Sequence, residues 1–159
     1  MVELDFQDNI DYKKLGFLLP DHNVAVGFIS GDMHAPDENG VSVDMADLAR
    51  RLSEGDPATH LPARPFLEDG IAEGRDVISD AIEEYFIHHA ETGKETKLKR
   101  IVAITIGAIS EFVHGSFYKE TAPNSPATIE AKKGGDQPLI DSAQMINSMV
   151  GLIDGDRVE

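Results

Sequence analysis

The sequence contains no cysteine, which removes disulfides, thiolate metal sites and cysteine nucleophiles from consideration at once. Basic residues are scarce beside acidic ones: Lys plus Arg is 14 and Asp plus Glu is 29, a formal net charge of −15. Such a chain is a poor direct ligand for duplex nucleic acid, because binding it normally needs cations that displace counterions from phosphates. The plain reading of the acidity is solubility and repulsion between copies. Long apolar runs are missing as well. The richest stretch, from Ile101 to Ile109, has about half of the roughly 20 residues that a helix needs to cross a bilayer. The first residues carry Glu3, Asp5 and Asp8 and show neither a basic start nor an apolar run of signal-peptide length. These absences predict a protein made and used in the cytoplasm, away from membranes. The length of 159 residues predicts one domain.

The apolar patterning predicts an α+β fold. The run Val24 to Ile29 is short, β-branched and bounded by turn residues, as a buried strand would be, and Ser30 to Gly40 reads as a loop. A helix is expected from about Ser42 as N-cap, with Met45, Leu48, Ala49 and Leu52 on one face and a stop at Gly55 and Pro57. The loop from Glu54 to Pro65 holds Pro57, Pro62 and Pro65 and is expected to be largely extended. A second helix is predicted over 68–91, with Ile71, Ile78, Ala81, Ile82, Tyr85, Phe86 and His89 on or near one face, ended by Thr92 and Gly93. A third is predicted over 95–118 on the stripe Leu98, Ile101, Val102, Thr105, Ala108, Ile109, Phe112 and Val113. The β-branched middle of that stretch leaves a strand as the alternative. The two long helices would form an antiparallel hairpin covering one face of a small sheet, with short helices alongside.

From Thr121 to Pro138 the chain is polar and broken by Pro123, Pro126, Gly134 and Gly135, which predicts an exposed, flexible excursion. Asp141, Ser142, Ala143 and Gln144 resemble a capping box opening a short helix through Ile146, and Met149 to Ile153 reads as a second strand. A cap is the leading role for Asp141, and a binding role is the alternative.

Catalytic signatures are absent: there is no Gly-x-Ser-x-Gly, no P-loop and no Gly-x-Gly-x-x-Gly. Six histidines invite a metal search. His88 and His89 are neighbours on a helix and point about 100° apart, so they do not converge on one ion. Glu84 and His88 are spaced to share a ligand. Glu111 and His114 have the Glu-x-x-His spacing of carboxylate di-metal sites, but those need a second copy of the motif, and none is present. The expectation is no metal, no cofactor and no enzyme activity, with a metal-dependent helical enzyme built on Glu111 and His114 as a rival.

Three ordered pieces carry a resemblance. They are VAVGFI followed by GVSVDMADLARRLSEG; then LPARPFL; then TIEAKKG leading into QPLIDSAQMINSM. In this order, with helices between them, they resemble the virion-morphogenesis or tail-completion family of tailed bacteriophages. The sequence departs from that family at Ser53, Glu54 and Gly55, where Glu-Phe-Gly is common, and at Asp141, Ser142 and Ala143, where Asp-Thr-Gly is common. The resemblance marks Pro62, Ala63, Arg64, Pro65, Phe66 and Leu67, with Pro138, Leu139, Ile140 and Asp141, as signature or interface candidates. In LPARPFL the prolines stiffen the chain on either side of Ala63 and Arg64, while Phe66 and Leu67 are placed to anchor the following helix in the core. The guanidinium of Arg64 suits a bidentate carboxylate, either within the subunit or on a neighbour.

What the resemblance implies is a structural virion protein at the head-tail junction. Copies would close into a homo-oligomeric ring, sixfold on the family pattern, between the head connector and the tail terminator or tube. DNA would pass through the lumen without specific binding; the net charge of −15, and not the resemblance, suggests acidic walls that would keep it from sticking. The loops 54–65 and 121–138 are the candidate contacts between subunits. The rival from another class is an acidic DNA mimic that occupies a nucleic-acid-binding protein.

Overall fold

The computed structural model describes residues 21–36, 40–115, 123–131 and 144–158. Strand β1 (Val24–Gly27) pairs antiparallel with β2 (Val150–Ile153), which pairs antiparallel with β3 (Asp156–Arg157). The central strand of this sheet therefore comes from late in the chain and β1 lies at an edge, so β1 is half-exposed rather than buried as its apolar run suggested. The β2–β3 hairpin was not anticipated, although its signal is in the sequence. Asp154 and Gly155 form a two-residue loop, and both have positive φ, 55° and 91°. Asp-Gly is a preferred pair for that hairpin turn.

Between β1 and β2 run helices α1 (Met45–Glu54), α2 (Phe66–Glu73), α3 (Arg75–Thr92), α4 (Leu98–His114), α5 (Pro126–Ala131) and α6 (Gln144–Asn147). The N-cap of α1 is Asp44 and not Ser42: the Asp44 carboxylate accepts from the Ala46 and Asp47 N–H groups at 2.9 and 3.2 Å. Its other oxygen accepts from Gly31 N–H, tying the preceding loop to the helix start. These backbone donors, Gly31 first, hold the Asp44 carboxyl below its usual range.

The helix expected over 68–91 is two helices meeting at Gly74. A Cβ at Gly74 would overlap the Ala108 methyl of α4, so the junction approaches α4 as only glycine allows. Nearby, Gly70 lies against the Ile109 backbone. The third predicted helix forms over Leu98–His114, and of its expected stripe only Ala108 is not fully buried. Its length and period prevail over the β-branched middle. The helical period also lets Thr105 bury its hydroxyl by donating to the Ile101 carbonyl one turn back, at 2.8 Å.

Helices α3 and α4 pack as an antiparallel hairpin, and α4 also lies on α2 and on both β1 and β2. One part of the core joins Met45 and Ala49 of α1, Phe66 of α2, Ile109, Phe112 and Val113 of α4, and Met145 and Ile146 of α6. The other joins Ala81 and Tyr85 of α3 to Leu98 and Ile101 of α4 under Val24 and Ile153 of the sheet. Helix α4 is thus the shared wall of both. No helix among the described residues is long and apolar enough to cross a membrane.

Candidate functional site

The LPARPFL segment folds back on the helix that precedes it. Gly55 ends α1 with φ of 73°, and a Cβ there would stand 2.6 Å from the Ala63 nitrogen, so the returning strand of the loop runs directly against it. The loop is not simply extended as its prolines suggested. A bridge between Asp56 and Leu61 closes it, and a single 3-10 turn, Pro57–Thr59, lies between them with the Asp56 carboxylate accepting from Ala58 N–H. The Arg64 N–H then donates to the Leu52 and Ser53 carbonyls at 2.9 and 3.0 Å, satisfying groups that the C-terminus of α1 leaves open. Pro65, with φ −75° and ψ 58°, is the centre of an inverse γ-turn in which Phe66 N–H donates to the Arg64 carbonyl at 2.7 Å.

This geometry decides what the segment does. Phe66 is 0% exposed and Arg64 only 4%, with Leu67 and Pro62 half-buried and Ala63 and Pro65 outside. Burial lowers the Arg64 pKa, but guanidinium is so basic that the side chain remains a cation. Arg64 is therefore buried in the folded subunit. Pro138, Leu139, Ile140 and Asp141 lie outside the described residues, as do the expected cap at Asp141 and half of the excursion; the described part of that excursion contains the short helix α5.

A polar node that the sequence reading missed joins three distant parts of the chain. His22, just before β1, places Nδ1 2.7 Å from Asp154 Oδ2 in the β2–β3 turn, and Nε2 3.4 Å from Glu95 in the α3–α4 connection. Asp154 also accepts from Asn23 N–H at 2.8 Å. The hydrogen bond to Asp154, helped by the charges of Asp154 and Glu95, raises the His22 pKa. The Asn23 N–H and then His22 lower that of Asp154. The Tyr85 ring meets His22 edge-on at 6.5 Å, and burial raises the Tyr85 pKa. Only the spacing of His22 and Asp154, 132 residues apart, hid this node: nothing local marks either as a partner.

Three of the residues weighed as metal ligands, Glu84, His88 and His114, have other partners. Glu84 binds Lys97 at 2.6 Å and Arg100 at 2.7 Å, bracing α3 against α4, and these cations lower its pKa, the Lys97 hydrogen bond most. His88 Nε2 lies 3.0 Å from Thr96 Oγ1, and His114 Nδ1 lies 2.7 Å from the Ser110 carbonyl. Among the described residues no group of three or more His, Asp or Glu side chains is placed to hold a metal ion.

Part of what the fold leaves outside is apolar. The α2–α3 arm exposes Ile71, Val77, Ile82, Phe86 and Ile87, with Val77 at 53% and Ile87 at 52%. Ile71, Ile82 and Phe86 were expected on or near one face with Ala81 and Tyr85. They lie beside the buried line of Ala81 and Tyr85, because among the described residues α4 is the main cover of this arm and shields only a narrow stripe of it. No family model, curated protein or solved structure matches the chain.

Proposed function

We propose that the chain is a structural subunit of a tailed-phage particle, several copies of which close into a ring in the neck between the head connector and the tail. The observation that carries this reading is the ordered set of signature pieces, VAVGFI with its helix, LPARPFL, and TIEAKKG with QPLIDSAQMINSM. The structure gives the second piece a geometric role: it turns the chain from α1 into α2 with a buried Phe66 and Arg64. A protein whose work is shape needs such an internal brace more than an exposed reactive group. The exposed apolar side chains of α2 and α3 supply surface of the kind that subunit contacts bury. Acidic residues around the lumen would let DNA pass without sticking.

Imaging of purified virions tests this. A closed ring of this subunit at the head-tail junction, with an acidic lumen, is the expected result. Particles that lack the chain would overturn the assignment and leave an acidic DNA mimic as the better account of the charge. A ring with a neutral or basic lumen would overturn the role given to the acidity.

A further inference from the structure

Two surfaces beside α4 differ in charge and share apolar content. On α3, Asp76, Asp80, Glu83, Ile87 and Glu91 recur at helical spacing and are all exposed. They form a ridge about 22 Å long. Ile87 sits among Asp80, Glu83, Glu84 and Glu91, and Val77 extends the apolar part. Of these acids only Glu84 is held in an ion pair among the described residues. Between α4 and the β2–β3 hairpin lies an open cleft of about 440 Å³. Its apolar lining includes Val102, Ala103, Ile106, Val150 and Val158, and its cations are Lys99, Arg100 and Arg157. Arg100 is tied to Glu84, whereas Lys99 and Arg157 have no ion pair among the described residues.

In a chain with only 14 Lys and Arg against 29 Asp and Glu, a cleft that among the described residues carries three of those cations and no acid is a local reversal of the protein's charge. We infer that the acidic ridge of α3 seats in the basic cleft of a second copy, joining subunits head to tail. Like charges oppose ridge against ridge and cleft against cleft, so the contact is heterologous, with two different patches used by every copy. The long-range repulsion between two chains of net −15 is screened beyond about 8 Å at physiological ionic strength, while pairs in direct contact are screened less. Association should therefore be strongest at moderate salt, opposed by net charge at low salt and by loss of the contact pairs at high salt. This inference rests on the ring reading for closure of the chain of contacts, and it adds the two faces and their order.

The test uses sedimentation velocity on the whole chain and two variants that change exposed side chains only. One is Asp80→Lys with Glu83→Lys on the ridge; the other is Lys99→Glu with Arg157→Glu in the cleft. The expected result is concentration-dependent association of the unaltered protein at about 0.15 M salt. Each variant alone should associate at least roughly tenfold more weakly, and an equal mixture of the two should recover association, because each then finds a face of opposite charge. Recovery in the mixture excludes misfolding as the cause of the separate losses. An unaltered protein that stays monomeric, variants that associate as well as it does, or a mixture that recovers nothing would overturn the contact. None of these outcomes removes the chain from virions, so the ring reading falls only on the imaging result.

Discussion

Val102 of α4 occupies the space directly over Gly151 of β2: a methyl group at Gly151 would overlap the Val102 side chain. The sheet thus rests on α4 at a point where one partner has no side chain at all. Gly151→Ala is expected to destabilise the fold by about 1–3 kcal/mol through overpacking. Adding Val102→Ala should recover part of that loss, since it empties the space the new methyl needs. Urea unfolding of the two single variants and the double variant measures the coupling, and strict additivity would show that the two residues do not meet.

The His22 node has a pH signature. His22 has a raised pKa, so its contribution is fully present below its unfolded value, near 6.5, and is lost as pH rises through the higher folded value. Asp154 has a lowered pKa, so its contribution is present above its unfolded value, near 3.8, and is lost as pH falls through the lower folded one. The pair is complete between those limits. Melting temperature measured across neutral pH should fall less steeply for His22→Asn than for the unaltered protein, and equal slopes would show that His22 does not bind Asp154 in solution.

Phe66→Ala should cost about 3–5 kcal/mol, because Phe66 is fully enclosed where α1, α2 and α4 meet. Ile87→Ala, on the exposed ridge, should change stability by no more than about 0.5 kcal/mol. Chemical denaturation of both variants separates the buried anchor from the exposed face.

Arg64→Ala should lower stability by about 1–3 kcal/mol through lost packing while leaving head-to-tail association intact under conditions where the variant is folded. A folded Arg64→Ala that no longer associates would place Arg64 at the subunit contact instead.

Much of the architecture was legible in the sequence where local and global preferences agree. The stripe from Leu98 to Val113 has one period and one buried face, and α4 forms on it. Gly93, Gly55 and the β-branched run at Val24 likewise mark ends and starts that the fold uses. The failures have particular causes. Asp44 outdid Ser42 because the cap is chosen by which side chain reaches the free N–H groups, and Asp44 also gains Gly31. The break at Gly74 depends on Ala108, more than thirty residues away, and the exposure of Ile82 and Phe86 depends on how little of α3 one neighbouring helix can cover. Of the candidate site, LPARPFL could be read as a stiff segment with a core anchor at Phe66, but the burial of Arg64 depends on the fold of the loop from Gly55 to Ala63. The His22 node and the opposed charges of the two surfaces beside α4 are visible only once the chain is folded.

The sheet takes its central strand from residues 150–153 and an edge strand from residues 24–27, which has a consequence for the order of events in synthesis. The α-helical part can assemble from contacts close in sequence while the chain is still emerging, but β1 gains its partner strand only once residues 150–153 have been made. A message or ribosome that stops before Val150 would release a helical hairpin whose sheet-facing side, including Val102, stays bare, a species suited to quality-control proteases and unable to complete the basic cleft.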